Sequence, residues 1–330
     1  MMLRLPTNPL VRFILRRVLQ VIPLLFGLAT LVFFLSRLLP GDPGTLYLSP
    51  TVSQAAADRL RSQFGLDQPL FIQYLRWVGE LIKGNLGVSF AYNAPVVDIL
   101  AKVFPNTLLL GIPALILEIL LAFLVVSIGK QRPGSGVDRW ISRGTLVVYA
   151  LPTFWVGLIF VMVFSHALGL FPSSHMWSAG SAADWSPHSI ADLLSHLALP
   201  VFTLAVPGAA GLSRYIASTV DDTRNQEYVL AATAMGLKQG VIFRRYILLN
   251  SLGPMVSMIG MEIGSLLTGV LVTETLFAWP GMGRLIVVSV FARDYPLILG
   301  CTLLGGVVVV IGNLLADIMH GLIDPRVRLQ

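Results

Sequence analysis

EYVLAATAMGLKQGVIFRRYILLN, residues Glu227–Asn250, is a polar, mildly basic island set between long apolar stretches. Its pattern predicts two short helices, one opening at Gln226-Glu227 and stopping at Gly236, the next running over 241–249 back into apolar sequence. A carboxylate at a helix start meets the positive end of the helix dipole. A glycine just past a helix end supplies the left-handed turn that terminates it. Ala231, Ala232 and Ala234 give one side low bulk, so that another backbone can approach. An ordered helix pair interrupting apolar spans points to something that docks there. The plainer alternative is a connecting helix ended by Gly236, with Glu227 as a simple cap.

Composition sets the solvent. Hydrophobic residues make up 55% of the 330 residues and charged residues only 12%, with a mean hydropathy of +0.78, which excludes an ordinary soluble domain. A membrane crossing needs about 20 apolar residues. Six runs qualify: Val18–Leu35, Asn106–Ile128, Gly144–Ser165, Leu197–Ser213, Leu252–Thr275 and Tyr295–Ala316. The fourth is the shortest, and Pro200, Pro207, Gly208 and Gly211 predict a bend in it. The first is preceded by Arg12, Arg16 and Arg17 like a secretory signal, but it is too long and ends without a small-x-small cleavage site, so it reads as a retained anchor.

Basic residues give the orientation. Arg4, Arg12, Arg16 and Arg17 precede the first span, and Lys130, Arg132, Arg139 and Arg143 follow the second. Arg214, Arg224, Lys238, Arg244 and Arg245 surround the island, Arg326 and Arg328 end the chain, and His166–His196 has no Lys or Arg. By the positive-inside rule both termini and the island are cytoplasmic. The net charge of +6 then follows from membrane topology, and no aromatic-rich basic patch suggests nucleic acid.

Three segments fall on the outer side. In Pro40–Pro105, Ser53 can cap a helix over Gln54–Phe64 that Gly65 stops, and Asp67 can cap a second over Gln68–Lys83 that Gly84 stops. Leu70, Tyr74, Trp77, Val78 and Leu81 share one face of that second helix, which suits either the headgroup zone or a cover over the outer end of the bundle. His166–His196 is rich in Ser, Ala, Trp and His, and Phe277–Asp294 contains a helix-like run at Leu285–Phe291.

Intramembrane ionisable groups face a bundle interior or a hydrated path. Glu118, Glu262, Glu274 and Asp317, with Asn313, are of this kind and are the pathway or gate candidates. Glu262 lies between Gly260 and Gly264, a small-xxx-small pair that lets a second helix come close, and Glu118 suits an interhelical hydrogen bond. His166, His175, His188 and His196 lack helical i,i+4 spacing and read as polar surface residues, so no metal site is expected. Cys301, the single cysteine, reads as packing. No phosphate loop, nucleophile elbow or zinc-protease motif occurs in the sequence. An intramembrane hydrolase built from facing serines and histidines is the competing class, and a passive channel the third.

Motifs along the chain carry a resemblance. Glu227, Ala231, Ala232 and Gly236 are similar to the "EAA" segment of ATP-binding-cassette (ABC) importer permeases. Leu39-Pro40-Gly41-Asp42-Pro43, Phe64–Phe90, Pro152-Thr153-Phe154-Trp155, Glu274–Leu285, Arg293-Asp294-Tyr295-Pro296, Asn313–Asp317 and Asp324-Pro325-Arg326 follow in one register. This set resembles the dipeptide/oligopeptide (DppB/OppB-like) permeases of the peptide/nickel branch. The segment departs from that family in lacking its two basic residues, reading Ala231-Ala232-Thr233-Ala234-Met235-Gly236.

The resemblance implies an all-α integral membrane protein of the type I ABC importer permease fold, with six transmembrane helices, an outer helical region after the first span and a cytoplasmic coupling helix. The expected divisions are a cytoplasmic N-terminus over 1–17, a first transmembrane helix over 18–39 and an extracytoplasmic helical region over 40–105. A permease domain of five helices follows over 106–320, with its coupling segment at 221–250, and then a cytoplasmic tail over 321–330. Glu227, Tyr228, Ala231, Ala232, Gly236 and Leu237 would engage the ATPase. The implied function is a non-catalytic half of a pathway importing di- or oligopeptides across a prokaryotic cytoplasmic (inner) membrane. Nickel or metal-chelate and glutathione-like cargo are the alternatives. The implied partners are a second, DppC/OppC-like permease, two ABC ATPases and an extracytoplasmic substrate-binding protein. ATP and Mg would be bound by the ATPases, and this chain would bind no cofactor.

Overall fold

A computed structural model describes residues 9–38, 68–180, 186–252 and 270–323. The regular secondary structure of the described residues is helical apart from one small hairpin. Its elements are α1 (Pro9–Leu38), α2 (Leu70–Ile82), β1 (Val88–Ser89), β2 (Ala94–Pro95), α3 (Val96–Gly129) and α4 (Gly136–Ala150). Then come α5 (Thr153–Phe160), with a π-helical extension over Val161–Ala167, α6 (Pro187–Arg224) and α7 (Glu227–Ala234). A short α8 (Gln239–Val241) runs into a π-helical Ile242–Leu248, and α9 (Met282–Phe291) and α10 (Tyr295–Ile323) complete the order.

Four described helices contain segments long and apolar enough to cross a membrane: Phe13–Leu35, Val96–Gly129, Pro187–Arg224 and Tyr295–Ile318. Counting α4 with α5 and its extension as one bent span gives five. Most of the expected span Leu252–Thr275 lies outside the described residues, as does the expected outer helix Gln54–Phe64.

The sequence expectations for the spans need two corrections. The third span is not one rod: α4 and α5 meet at 101°. Leu151, just before Pro152, is extended, with φ −79° and ψ 136°, because the proline ring disfavours helical geometry in the residue that precedes it. The fourth span is not short. It lies within a helix of 38 residues that continues through Pro200 and Pro207, about 57 Å long at 1.5 Å per residue. Its start is set by Pro187 in the first turn and by Ser186, whose hydroxyl accepts from the Ser189 N–H at 3.2 Å. The expected second span, Asn106–Ile128, lies within a longer helix that starts at Val96. Asp98 sits in the first turn of this same helix, and Pro105 lies inside it.

α2 ends as expected. Gly84 takes φ +80°, its N–H bonds to Leu81 O at 2.9 Å, and the Asn85 N–H bonds to Glu80 O at 2.9 Å, which is a Schellman closure. The Glu80 carboxyl is held below its usual range by hydrogen bonds from Lys83 and then Asn85. Asp67 is outside the described residues, and Pro69 precedes the helix without a side-chain cap. Aromatic side chains of its apolar face pack on α1. Tyr74 hydrogen-bonds Thr30 at 2.7 Å and stacks on Phe34, while Trp77 lies 5.3 Å from Phe33.

The core follows the seam between α3 and α6, the most extensive helix contact among the described elements. Ala122, Val126, Leu212, Ile216 and Val220 fill it at the island end, and Leu110, Ala114, Leu197, Val201 and Trp279 at the opposite end. A third cluster joins Val96 and Leu100 of α3 to Met282, Leu297 and Cys301. α10 lies along α1, and the outward faces remain apolar, as lipid-facing helices do.

Candidate coupling surface and its anchors

The island forms two helical pieces, as its pattern predicts. α7 begins at Glu227, after an extended Gln226 that provides no side-chain cap. Its end is another Schellman closure: the Gly236 N–H bonds to Thr233 O at 3.0 Å and the Leu237 N–H to Ala232 O at 3.3 Å, with Gly236 at φ +75°. Val229 and Ala232 face inward onto Val220 of α6 and onto Ile242, Phe243 and Ile247. The small side chain of Ala232, fully buried, therefore serves this inner packing, while Ala231 and Ala234 are exposed. The outer edge carries Glu227, Tyr228, Leu230, Met235 and Leu237, with Leu230 61% and Met235 70% exposed. An apolar edge held out on a fastened helix is a docking surface in form.

A polar clamp ties the island end of α6 to α3 and α4. Lys130 Nζ, at the end of α3, lies 2.7 Å from Asp221 Oδ2 of α6 and 3.7 Å from Asp138 Oδ1 of α4. Arg224 Nη2 donates to Lys130 O at 2.7 Å. Asp138 also accepts from the Gly134 N–H at 2.9 Å, and Ser251 Oγ donates to Thr223 Oγ1 at 3.1 Å. From the sequence, Lys130 and Arg224 entered only as charges that set the orientation, and Asp138 and Asp221 were not singled out. Their only local signal is charge at span ends around the turn Arg132-Pro133-Gly134.

The candidate carboxylates occupy separate seams. Glu118, buried on α3, abuts Gly208 of α6, where a Cβ would overlap its carboxyl group. Glu274 is fully buried. Its Oε1 accepts from Thr107 Oγ1 at 2.7 Å and its Oε2 from the Arg284 N–H at 3.1 Å. Thr107 Oγ1 in turn accepts from the Met282 N–H at 2.7 Å. A Cβ at Gly281 would run into the Glu274 carboxylate. Trp279 Nε1 donates to Asn106 O at 2.9 Å, and Asn106 Nδ2 donates to Pro280 O at 2.9 Å. Glu274 thus fastens the turn before α9 to the side of α3. Asp317 pairs with Arg17 at 3.0 Å between α10 and α1. Glu262 lies outside the described residues.

Asp294, read from the sequence only as part of a motif, accepts from Ser89 Oγ, the Ala91 N–H and the Leu297 N–H, joining the hairpin to the start of α10. His196 is buried rather than at the surface, its Nδ1 lying 2.9 Å from Asp192 O. Among the described residues no three His, Cys, Asp or Glu side chains converge as a metal site.

Comparisons with known proteins extend over nearly the whole chain. Residues 119–329 match the model of the "Binding-protein-dependent transport system inner membrane component" family, and residues 10–111 match its N-terminal companion. The oligopeptide transport system permease protein AppB of Bacillus subtilis (strain 168) is 38% identical, covering 96% of this chain and 99% of its own. The di/tripeptide transport system permease protein DppB of Pseudomonas aeruginosa (strain UCBPP-PA14) is 34% identical, covering 96% and 99% respectively. The glutathione transport system permease protein GsiC of Escherichia coli (strain K12) is 31% identical, covering 97% and 99%. The crystal structure of an amino acid ABC transporter with histidines shares the fold, with a TM-score of 0.50 and 15% identity over 70% of this chain and 94% of that one. These relatives are transport permeases, so the hydrolase alternative drops away. The chain belongs to the inner-membrane components of binding-protein-dependent transport systems, and is a non-catalytic permease subunit of an ABC importer.

Proposed function

We propose that this chain forms half of a translocation pathway for di- and oligopeptides in a prokaryotic cytoplasmic membrane, with both termini and the island on the cytoplasmic side. Six spans are the proposed count, the fifth being Leu252–Thr275. The observation that carries the coupling role is α7: one face is locked to α6, and the other presents Tyr228, Leu230, Met235 and Leu237 outward. Glu227, Ala231, Ala232 and Gly236 complete the segment that meets an ATPase. A helix seated in a cleft transmits rigid-body rotation, which a loose loop does not. Two ABC ATPases bind ATP and Mg below, a second, related permease completes the pathway, and a substrate-binding protein delivers cargo from outside. Glu118, Glu262, Glu274 and Asp317 remain the pathway or gate candidates, with Glu274 and Asp317 in structural or gating roles.

Peptide cargo is supported by the peptide permeases among the relatives. The glutathione permease supports a glutathione-like thiol peptide as the second reading. The test is to purify the chain with its genomic neighbours, weigh the complex, and identify what thermally stabilises the binding protein. A heteromeric complex and a peptide-stabilised binding protein are expected. A functional homodimer without a second permease overturns the assembly, and recovery of a metal chelate overturns the cargo.

A further inference from the structure

Beside the island opens a cavity of about 470 Å3, lined by Gln131, Lys238, Gly240, Val241, Arg244 and Arg245. Its three cations, Lys238, Arg244 and Arg245, are exposed, and none forms an ion pair with another described residue. Lys130, one residue before Gln131, is by contrast neutralised by Asp138 and Asp221. α3 approaches this corner with a row of exposed apolar side chains, Ile116, Leu120, Leu124 and Ile128, spaced i,i+4 along one side. A concave cationic site at the end of an apolar helix row fits a ligand with an anionic head and a hydrocarbon tail.

We propose that this cavity seats the headgroup of an anionic phospholipid, its phosphodiester held by Lys238, Arg244 and Arg245 and an acyl chain lying along Ile116–Ile128. A guanidinium fork matches two phosphate oxygens at once, and the lysine adds a mobile point charge. Basic pockets between spans at the cytoplasmic face are where such headgroups bind. Charge complementarity and the adjoining apolar row favour lipid over an acidic protein, which would match the cations and leave the row uncovered. Lys238 opens the piece that follows the Gly236 turn, so the bound headgroup holds the far end of that turn against the membrane. The inference depends on the proposed topology only for its leaflet, and lipid binding is measured without transport, so the two can fail separately.

The test uses the purified, delipidated transporter complex titrated with phosphatidylglycerol, phosphatidylcholine or free glycerol phosphate, with bound molecules counted by native mass spectrometry. Saturable phosphatidylglycerol binding is expected, weakened at least tenfold in the combined variant Lys238→Gln, Arg244→Gln, Arg245→Gln, with phosphatidylcholine unaffected. Glycerol phosphate should bind far more weakly, because it lacks the tail. Arg139→Gln with Arg143→Gln, on α4 away from the cavity lining, should keep full phosphatidylglycerol binding. If the triple variant does not assemble, Arg244→Gln and Arg245→Gln are titrated singly, each expected to weaken binding about fivefold. Equal binding by wild type and the cavity variants overturns the site, as does equal loss in the α4 variant. Glycerol phosphate binding as tight as lipid makes it a free-phosphate site. Loss of the ATPase subunits from the cavity variants in pure phosphatidylcholine assigns the cations to protein docking instead.

Discussion

At Gly236 the backbone sits at φ +75°, and a Cβ built there meets no atom within 4 Å. The cost of Gly236→Ala is therefore conformational alone, about 1–2 kcal/mol, and Asn, which tolerates this region better, should cost less. Pro is the severe change, since it fixes φ near −65° and removes the N–H that bonds to Thr233 O. ATP-driven uptake by membrane-inserted protein should fall in the order Asn, Ala, Pro, and normal uptake by the Pro variant would reduce the segment to a connector. Thr107 is sensitive for a different reason: its hydroxyl donates to Glu274 and accepts from the Met282 N–H. Thr107→Val is nearly isosteric and strands both partners, at about 1–3 kcal/mol for each buried group left unpaired. A lowered thermal midpoint of the solubilised chain is expected; an unchanged midpoint would mean the latch adds no stability.

The helix pieces show which parts of the fold a local reading reaches. The end of α2 at Gly84 and of α7 at Gly236 were legible, because a Schellman turn is written in consecutive residues. So was the aromatic face of α2, which needs only helical periodicity. The break at Leu151-Pro152 was available from the same local chemistry, but hydropathy alone ran the span through it. The continuity of α6 through two prolines was not available, since it depends on packing against α3. The Glu274–Thr107 and Lys130–Asp221 contacts join residues 167 and 91 positions apart, so only their charge or polarity was visible. The two faces of α7 give a direct check, and Cys301, the single cysteine and fully buried, provides a silent background. Cysteines placed at Leu230 and Met235 should react with a polar thiol reagent in the isolated chain and be protected once ATPase subunits bind. Cysteines at Val229 and Ala232 should stay unreactive in both states. Equal labelling of the Leu230 cysteine with and without ATPases would remove α7 as the contact.

For the whole molecule, the question is how a push on α7 would reach the opposite end of the bundle. α7 is seated on α6 through Val229 and Ala232, and α6 carries Leu197 and Val201 into the core beside Trp279, whose turn Glu274 latches to α3. α6 alone would be a lever without a fulcrum. The Lys130 clamp supplies one by tying its island end to α3 and α4. In stability this clamp counts for little: Asp221 is 48% exposed, and screened pairs contribute about 0–1 kcal/mol. Its effect should appear in transmission instead. Lys130→Met should leave a folded, assembled complex that hydrolyses ATP, while the number of substrate molecules imported per ATP falls several-fold. Asp221→Asn should do the same, and the double variant should lose little more than either single, because both remove one shared contact. Uptake per ATP measured in proteoliposomes decides the matter. Additive losses would mean that the two residues act independently, and unchanged stoichiometry in both singles would mean that α6 carries the motion without this clamp.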